Sequence, residues 1–365
     1  MPSLTTVTRS TLDQYSVFNM MNCRRTSRTF TVPVLKGAFG EIVWETFLGS
    51  GRYGDVFQGY WASKNKNVAM KVLHGDAELE NVKREIDIWR VLEHPNLIKL
   101  YDYCSDDESD DIYGCPQVSV IMEYAPNGSL FDYIQTNRTV PRELFWRWSQ
   151  QTAAGLVYLH QRNIVHRDLK SPNIVLDSVF NAKLCDFGCC TCLARTTTVS
   201  VVGSIRWMPP EVLMAKHASS SSDLYSFGMV LWEMLTAMLP FHEMDNEFQI
   251  MWAVCESHKR PKLPEECPLE LSGLIERCWH HESHGRPGIK EVLNILTKLA
   301  AVDLRGRPTD YQFCVTWVFA KLLKIDWLTL KSKEQHRLAR TRKRFENVVC
   351  LLCIPCRHFG CLDII

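Results

Sequence analysis

The sequence predicts an α+β protein with two lobes, a small β-rich N-terminal lobe and a larger helical C-terminal lobe. Short runs of β-branched and aromatic residues broken by glycine, such as 41–44 and 68–71, are typical of strands. After Gly128 the apolar residues recur at helical spacing over long stretches, for instance 144–160 and 221–235. The length of 365 residues and the hydrophobic content of 46% are sufficient for more than one core.

Both ends of the chain differ from this central part. Residues 1–38 are rich in Ser, Thr and Arg and show neither apolar period, which predicts a flexible leader. We place one folded domain at 39–304 and a basic, cysteine-rich tail at 305–365. Met1 to Leu12 lack the charged start and apolar core of a secretory signal, so we expect a cytoplasmic protein with reduced cysteines.

The charge balance excludes one class of partner. The chain has 42 basic and 41 acidic residues, which leaves a formal net charge of +1. No overall field therefore attracts nucleic acid, and we expect no nucleic-acid partner. The acidic run 105–111 lies between two strand-like runs, which predicts a solvated hairpin loop.

A glycine-rich segment lies between two strand-like runs. Its glycines let the backbone approach phosphate groups and bend as a flap, although a plain hairpin turn has a similar composition. A dinucleotide-binding fold needs such a loop to open a helix, whereas here another strand-like run follows at 56–60. The residues predicted to cover the phosphates are Gly49, Ser50, Gly51, Arg52, Tyr53 and Gly54.

Two charged residues are predicted to act on these phosphates. Lys71 ends an apolar strand-like run and directs a compact positive charge beneath the glycine segment, the alternative being a solvated lysine at a strand end. Glu85, in the helical pattern 79–92, is predicted to pair with Lys71 and hold it in place. Glu80 is the competing partner, and the spacing to the turn at 94–96 favours Glu85.

The strongest signal is the pair of segments 165–173 and 184–188. The first has the sequence Val-His-Arg-Asp-Leu-Lys-Ser-Pro-Asn and the second Leu-Cys-Asp-Phe-Gly. Asp168 is suited to take or orient a hydroxyl proton, and Asn173 and Asp186 supply hard oxygen ligands for Mg²⁺. Together with a lysine against the phosphates, this set predicts phosphoryl transfer.

These motifs carry a family resemblance. The stretch from about Glu41 to Leu304 resembles the protein kinase family. The segment 166–173, and Trp-Met-Pro-Pro-Glu at 207–211, are most similar to the tyrosine-kinase-like group, especially the mixed-lineage kinases. The resemblance implies the bilobal kinase fold, ATP and Mg²⁺ as cofactors, and MAP kinase kinase kinase activity in a stress-type cascade, with MAP kinase kinases as the protein substrates.

The resemblance also implies roles for further residues. Glu211 is expected to pair with Arg286, and Asp223 to brace the catalytic loop through its backbone. Two departures from the family pattern are Pro209 in place of Ala and the bulky Trp89. The resemblance places Trp89 at the helix position that completes an apolar column with Leu100, Phe187 and His166. The adenine pocket of the family corresponds here to Val56, Ala69, the gatekeeper Met122, Glu123, Ala125 and Val175.

The residue after the catalytic Asp-Leu pair bears on specificity. Lys170 is typical of serine/threonine kinases, where its charge neutralises the transferred phosphate, whereas similar tyrosine kinases carry Ala or Arg in this loop. Tyrosine or dual specificity is therefore the alternative. A pseudokinase scaffold is another hypothesis, against which the intact set Lys71, Asp168, Asn173 and Asp186 argues. A third hypothesis gives the tail the main role, with the kinase domain regulating membrane or metal association.

A hydroxyl-rich segment at 194–200 lies where the family carries regulatory phosphorylation sites. A phosphate adds about −1.5 to −2 charges, which Arg167 is placed to bind in a bidentate pair. Such binding would order the segment and align the substrate groove. The predicted sites are Thr196, Thr197 and Ser200.

The tail leaves several interpretations open. Residues 313–330 are apolar but contain three charges, which favours an amphipathic helix docked on the kinase domain over a spanning helix. The basic run 331–344 and the cysteines after it predict palmitoylation with peripheral membrane contact, zinc binding, or no special chemistry. No sustained heptads are present, so a leucine zipper is not expected and the oligomeric state stays open. The clustered cysteines are Cys350, Cys353, Cys356 and Cys361.

Overall fold

The computed structural model describes residues 35–37, 40–51, 54–73, 86–106, 117–186, 205–215 and 218–305. These residues form a sheet-based N-lobe and a helical C-lobe, which confirms the predicted bilobal α+β fold. Among them, no helix is long and apolar enough to cross a bilayer. The predicted leader up to residue 34 and the tail from residue 306 lie outside the described residues.

The strands of the described N-lobe form one antiparallel sheet in the order β1-β2-β3-β4-β6-β5. They are β1 (Leu35–Gly37), β2 (Gly40–Gly51), β3 (Gly54–Trp61), β4 (Lys66–Leu73), β5 (Leu100–Asp106) and β6 (Gln117–Glu123). Because β1 lies inside the predicted leader, the sheet begins before the predicted domain boundary at residue 39. Leu35 pairs with Ile42 through backbone hydrogen bonds. Such pairing does not depend on an alternation of apolar side chains, so the sequence pattern did not reveal this strand.

Strand alternation sends neighbouring side chains to opposite faces of this sheet. Ala69 and Met122, opposite each other on β4 and β6, belong to the main core, whereas Met70 and Ile121 belong to a smaller cluster on the other face. Lys71 shares the face of Ala69 and is only 3% exposed. The strand therefore carries the lysine charge inward.

The predicted acidic hairpin is confirmed at its two strands. β5 and β6 pair antiparallel, and the register ends with Asp106 opposite Gln117. Residues 107–116, which contain most of the acidic run, lie outside the described residues.

The described part of the C-lobe is mainly helical, and a helix at 86–90, α1, belongs to the N-lobe. The other helices are α2 (Leu130–Asn137), α3 (Arg142–His160), α4 (Pro210–Leu213), α5 (Ser220–Thr236), α6 (Glu247–Cys255), α7 (Leu269–Cys278) and α8 (Ile289–Arg305). A short strand pair, β7 (Ile174–Leu176) with β8 (Ala182–Leu184), lies beneath the cleft. The helices α3 and α5 confirm those predicted at 144–160 and 221–235.

Helix α5 passes through the centre of the C-lobe. Tyr225 and Phe227 on this helix are fully buried, and almost every other side chain of α5 is buried as well. A Cβ on Gly228 would lie 3.0 Å from the Cβ of Cys278, so glycine lets α5 and α7 approach closely. The helix is therefore a rigid support for the loops attached to it.

Trp89 on α1 is buried. The side chain is 3% exposed, and Nε1 donates a hydrogen bond to the carbonyl of Ile98 at 3.0 Å. Its neighbours in the predicted column include His166 and Leu100, both buried, whereas Phe187 lies outside the described residues. The bulky side chain is thus accommodated with its single polar atom satisfied.

The implied pair of Glu211 with Arg286 is present. The guanidinium donates to both carboxylate oxygens at 2.7 and 2.8 Å, and its side chain is 0% exposed. Arg286 also donates to the carbonyls of Ser221, His280 and His281. Burial raises the pKa of Glu211, but the bonds and charge of Arg286 outweigh it and hold the pKa below its ordinary value.

Replacing Arg286 by Ala should lower the free energy of unfolding by about 3 kcal/mol, because Glu211, whose side chain is only 14% exposed, would keep its charge in a largely buried position without a partner. Urea denaturation at pH 7 measures this loss. The matched control is Arg277→Ala, which breaks a half-exposed pair with Glu291 and should cost less than about 1 kcal/mol. Equal losses in the two variants would contradict the assignment.

The same pair predicts a pH dependence. Since the pKa of Glu211 is lowered on folding, its stabilisation is complete above the ordinary pKa near 4.5 and is lost as the pH falls through the folded value. In Arg286→Ala the bonds and charge of Arg286 no longer oppose the effect of burial on this carboxyl group, so the variant takes up the proton at a higher pH than wild type. The difference in unfolding free energy between wild type and Arg286→Ala should therefore shrink steadily as the pH falls through the acid range. A difference that stays constant through acid pH would contradict this.

Candidate active site

The glycine segment forms the end of the β2–β3 hairpin. Residues 49–51 pair in antiparallel register with residues 54–56, so the segment leads from strand to strand as predicted. A Cβ on Gly54 would lie 2.1 Å from the carbonyl oxygen of Val72, which excludes any larger residue there. A Cβ on Gly49 would meet nothing within 4 Å. Arg52 and Tyr53 lie outside the described residues.

The residues assigned to the adenine pocket lie at the edge of the main core. Ala69 and Met122 are 7% and 6% exposed and lie opposite each other on the paired strands β4 and β6. Val56, Ala125 and Val175 are partly buried and pack against the same core. These five side chains thus supply the apolar walls that a planar base requires.

Glu123 uses its side chain within the protein. Its carboxylate pairs with Nζ of Lys183 on β8 at 2.8 Å, and its N–H donates to the carbonyl of Lys99 at 2.9 Å. Because its carboxylate and its N–H are both used within the protein, the carbonyl oxygen of Glu123 is the atom that could contact a ligand. The ion pair ties the segment between the lobes to the C-lobe.

Lys71 joins the two lobes through Asp186. Its Nζ lies 2.7 Å from Oδ1 of Asp186, and the lysine side chain is 4% exposed. Although 31% of the Asp186 side chain is exposed, protein surrounds it on most sides; this burial raises its pKa, but Lys71 outweighs the effect and the pKa is lowered. Asp186 is therefore ionised at neutral pH. Glu85 lies outside the described residues, so its pairing with Lys71 stays a prediction.

The predicted catalytic loop brings three polar side chains together. Nζ of Lys170 lies 2.7 Å from Oδ2 of Asp168. Nδ2 of Asn173 donates to the carbonyl of Asp168 at 2.8 Å and to its Oδ2 at 3.0 Å. Because the amide nitrogen is used in this way, the amide oxygen of Asn173 is the atom that remains for a cation.

A backbone hydrogen bond aligns the second metal candidate with the first. The N–H of Cys185 donates to the carbonyl of Asn173 at 3.0 Å, which fixes the following residue, Asp186, beside the loop. Asp186 has a φ of +58° and Arg167 a φ of +67°, both in the left-handed region. Such conformations persist where the surroundings impose them, and they concentrate at functional sites.

Asp223 on α5 holds the catalytic loop. Its Oδ2 and Oδ1 accept hydrogen bonds from the N–H groups of His166 and Arg167, both at 2.9 Å. Nε2 of His160, at the end of α3, lies 2.7 Å from Oδ2. The carboxylate is 1% exposed, so these contacts are not exchanged for water. The implied bracing by Asp223 is thereby confirmed.

Comparison with known proteins decides the family of this arrangement. A family model described as protein tyrosine and serine/threonine kinase matches residues 42–296, well over half of the chain. The chain belongs to the protein kinase family. The two lobes, the glycine hairpin and the catalytic loop are those of a kinase domain.

Individual relatives confirm the predicted resemblance to mixed-lineage kinases. Mitogen-activated protein kinase kinase kinase 10 of Mus musculus is 34% identical over 81% of this chain and 32% of its own length. Mitogen-activated protein kinase kinase kinase 12 of Rattus norvegicus is 31% identical over 82% of this chain and 32% of its own length. Mitogen-activated protein kinase kinase kinase 13-A of Xenopus laevis is 33% identical over 75% of this chain and 27% of its own length. The chain thus spans about a quarter to a third of the length of these curated relatives.

Protein kinases use ATP and a divalent metal ion, and the kinase domain fits both. Asn173 and ionised Asp186 supply hard oxygens, which suit a small divalent cation. No group of three or more His, Cys, Asp or Glu ligands occurs among the described residues, so a metal here would rely on phosphate oxygens for the rest of its coordination. Lys71 supplies a fixed positive charge for the phosphates.

Sequence reasoning missed two polar contacts of this kinase domain. His160 joins Asp223, and Lys183 joins Glu123. A histidine at the end of a helix and a lysine in a short strand carry no local signal of such a role, because each partner lies about 60 residues away in the chain. His160 and Asp223 become neighbours only once α3 and α5 are packed, and Lys183 and Glu123 only once β8 lies near the end of β6.

Replacing Asp223 by Asn should weaken the catalytic loop, because an amide nitrogen would replace one of the two oxygens that accept backbone N–H groups. We expect the free energy of unfolding to fall by about 2–3 kcal/mol, and amide hydrogen exchange at His166 and Arg167 to accelerate. The control Asp87→Asn removes an exposed carboxylate of α1 and should leave both measurements unchanged. Unchanged exchange in Asp223→Asn would contradict the bracing role.

Proposed function

We propose that this protein is an active serine/threonine kinase that transfers the γ-phosphate of ATP to protein hydroxyl groups and acts as a MAP kinase kinase kinase. The observation that carries the proposal is the convergence of Lys71, Asp168, Lys170, Asn173 and Asp186 in one cleft. The names of the mitogen-activated protein kinase kinase kinase relatives support the place in a cascade, and MAP kinase kinases are accordingly the proposed substrates.

Each residue of the cleft has a distinct task. Asp168 accepts a hydrogen bond from the substrate hydroxyl and orients it for attack, and Lys170 beside it faces the charge of the transferred phosphate. Lys71 holds the nucleotide phosphates. Mg²⁺, when bound by Asn173 and Asp186, neutralises the phosphate charge.

Two alternatives are less well supported. A pseudokinase scaffold would not need Lys71, Asp168, Asn173 and Asp186 to be retained together in one cleft. Tyrosine specificity is disfavoured because a lysine at position 170 is typical of serine/threonine kinases. The structure places Nζ of this lysine 2.7 Å from Asp168, beside the expected position of the transferred phosphate. A parallel assay of Ser, Thr and Tyr acceptor peptides distinguishes the specificities.

The cytoplasmic location and the function of the tail also stay proposals. Residues 306–365, with the basic run and the clustered cysteines, lie outside the described residues. Their sequence supports reversible palmitoylation with contact to anionic lipid ahead of zinc binding, because the cysteine spacing is a poor match to paired zinc knuckles.

Lys71→Met and Asp186→Asn should each lower the rate of phosphoryl transfer by about 10²–10³-fold or more, because the phosphates lose their clamp or the metal its ligand. Transfer from labelled ATP to an inactive MAP kinase kinase measures this. The control Lys99→Met replaces a half-exposed lysine outside the cleft and should retain the wild-type rate. Near wild-type turnover in either cleft variant, with its mass verified, would exclude the assigned roles.

Phosphorylation of the activation segment should switch the enzyme on. Nε of Arg167 is buried and has no hydrogen-bond partner within the described part of the chain. Because an unpaired buried donor is costly, an acceptor such as a phosphate on the activation segment would stabilise it. The predicted sites Thr196, Thr197 and Ser200 lie outside the described residues.

Replacing these three residues by Ala together should lower the initial rate to that of phosphatase-treated wild type, whereas the control Thr198→Ala should not. Initial rates before and after phosphatase treatment measure the effect. If phosphatase-treated wild type and the triple variant both match untreated enzyme, the segment is not a phosphorylation switch.

A further inference from the structure

Glu233 is a carboxylic acid at the centre of the C-lobe. It lies on α5 and is 0% exposed, and it is the single ionisable residue of the apolar run 229–235. A buried carboxyl group without a cation is costly in its charged form, so its contacts reveal how it is tolerated.

The contacts of Glu233 join two separate loops. Its Oε1 accepts a hydrogen bond from the hydroxyl of Ser171 in the catalytic loop at 2.8 Å. Its Oε2 accepts one from Nε1 of Trp207 at 3.0 Å. A second bond from α5 supports the same turn, since the hydroxyl of Ser226 donates to the carbonyl of Trp207 at 2.8 Å.

The charged groups next to these donors point elsewhere. Lys170, beside Ser171, pairs with Asp168. Arg206, beside Trp207, donates to the carbonyls of residues 240, 241 and 244. Among the described residues, Glu233 is therefore faced by neutral donors from both elements packed against it, the hydroxyl of the catalytic loop and the indole of the 205–207 turn.

This environment favours the uncharged acid. Burial raises the pKa of Glu233 to about 8, although the bonds from Ser171 and Trp207 oppose the shift. At neutral pH the group is therefore mostly protonated. In this state its own O–H donates to the hydroxyl oxygen of Ser171 in place of accepting from it, while its other oxygen accepts from Nε1 of Trp207. Ionisation at higher pH would place a charge in the core with no cation against it.

We propose that Glu233 is a positioning residue for phosphoryl transfer, a single carboxyl group that sets the catalytic loop relative to the 205–207 turn. The inference rests on the proposed kinase function. Ser171 lies between Asp168 and Asn173 in the chain, and the turn directly follows the activation segment. Fixing one against the other places the catalytic aspartate relative to the segment that receives the protein substrate.

The proposal predicts a distinct pH effect. Above about pH 8 the ionised carboxylate is stabilised by admitting water, which separates the two loops from α5 and lowers kcat. Glutamine keeps the length of the side chain, accepts from Trp207 through its oxygen and donates to Ser171 through its nitrogen. Because it cannot ionise, the alkaline loss of kcat should disappear in Glu233→Gln.

The test compares Glu233→Ala, Glu233→Gln and the control Thr236→Ala, which removes another buried side chain of α5, one whose hydrogen bonds go to Trp232 and Met238. Initial rates with ATP and an inactive MAP kinase kinase are measured from pH 6.5 to 9. We expect Glu233→Ala to lower kcat about 10–100-fold with KM for ATP nearly unchanged, and Glu233→Gln to restore most of kcat at pH 7.

Two results would overturn the inference while leaving the kinase function intact. One is that Glu233→Ala has the kcat and the pH profile of wild type. The other is that kcat falls at alkaline pH in Glu233→Gln just as it does in wild type. Wild-type protein without any transfer would instead refute the proposed function. If Glu233→Ala fails to fold, Ser171→Ala and Trp207→Phe each remove one of the two bonds, and each should lower kcat; wild-type rates in both would exclude the proposal.

Discussion

The hydrogen bonds from the catalytic loop to Asp223 are the contacts on which the rest of the site depends. An irregular loop has no ladder of its own to fix its backbone, so its N–H groups need acceptors from a rigid element. The buried carboxylate on α5 supplies two oxygens to the N–H groups of His166 and Arg167. Asp168, the next residue, inherits its position from these bonds, and with it the orientation of Asn173.

Three acids in this domain, all partly or fully removed from water, are stabilised in different ways. Glu211 is paired with Arg286 and Asp186 with Lys71, so both have lowered pKa values and stay ionised. Glu233 faces neutral donors and has a raised pKa, so it is held as an acid near neutral pH. A charge is thus kept at the anchor Glu211 and at the proposed metal ligand Asp186, and it is absent near neutral pH at Glu233, which joins two loops.

Much of the fold was predictable from the sequence because it depends on local patterns. The helices α3 and α5 follow from apolar periodicity, and the glycine hairpin from its position between two strands. The strand β1 was not predictable, because it is held by backbone pairing at an edge. Among the site residues, Asp168 and Asn173 lie five residues apart in one motif and could be recognised from the sequence. The contact of Ser171 with Glu233 joins residues 62 apart and is visible only in the packed structure.

The distribution of the site between the lobes explains which parts of it can be regulated. The N-lobe contributes Lys71 to the chemistry, while Asp168, Asn173 and Asp186 are attached to the C-lobe and, through Asp223, to α5. The C-lobe groups are thus held to one another, and the ion pair of Lys71 with Asp186 is a direct polar link between them and the N-lobe sheet. In the proposed kinase, these C-lobe groups set the geometry of attack. We therefore expect control to act on the approach of the N-lobe and on the segment between Asp186 and the 205–207 turn. Glu233 contacts the 205–207 turn and the catalytic loop from α5. The proposed neutral bridge would thus act on the alignment of these two loops without touching the phosphates.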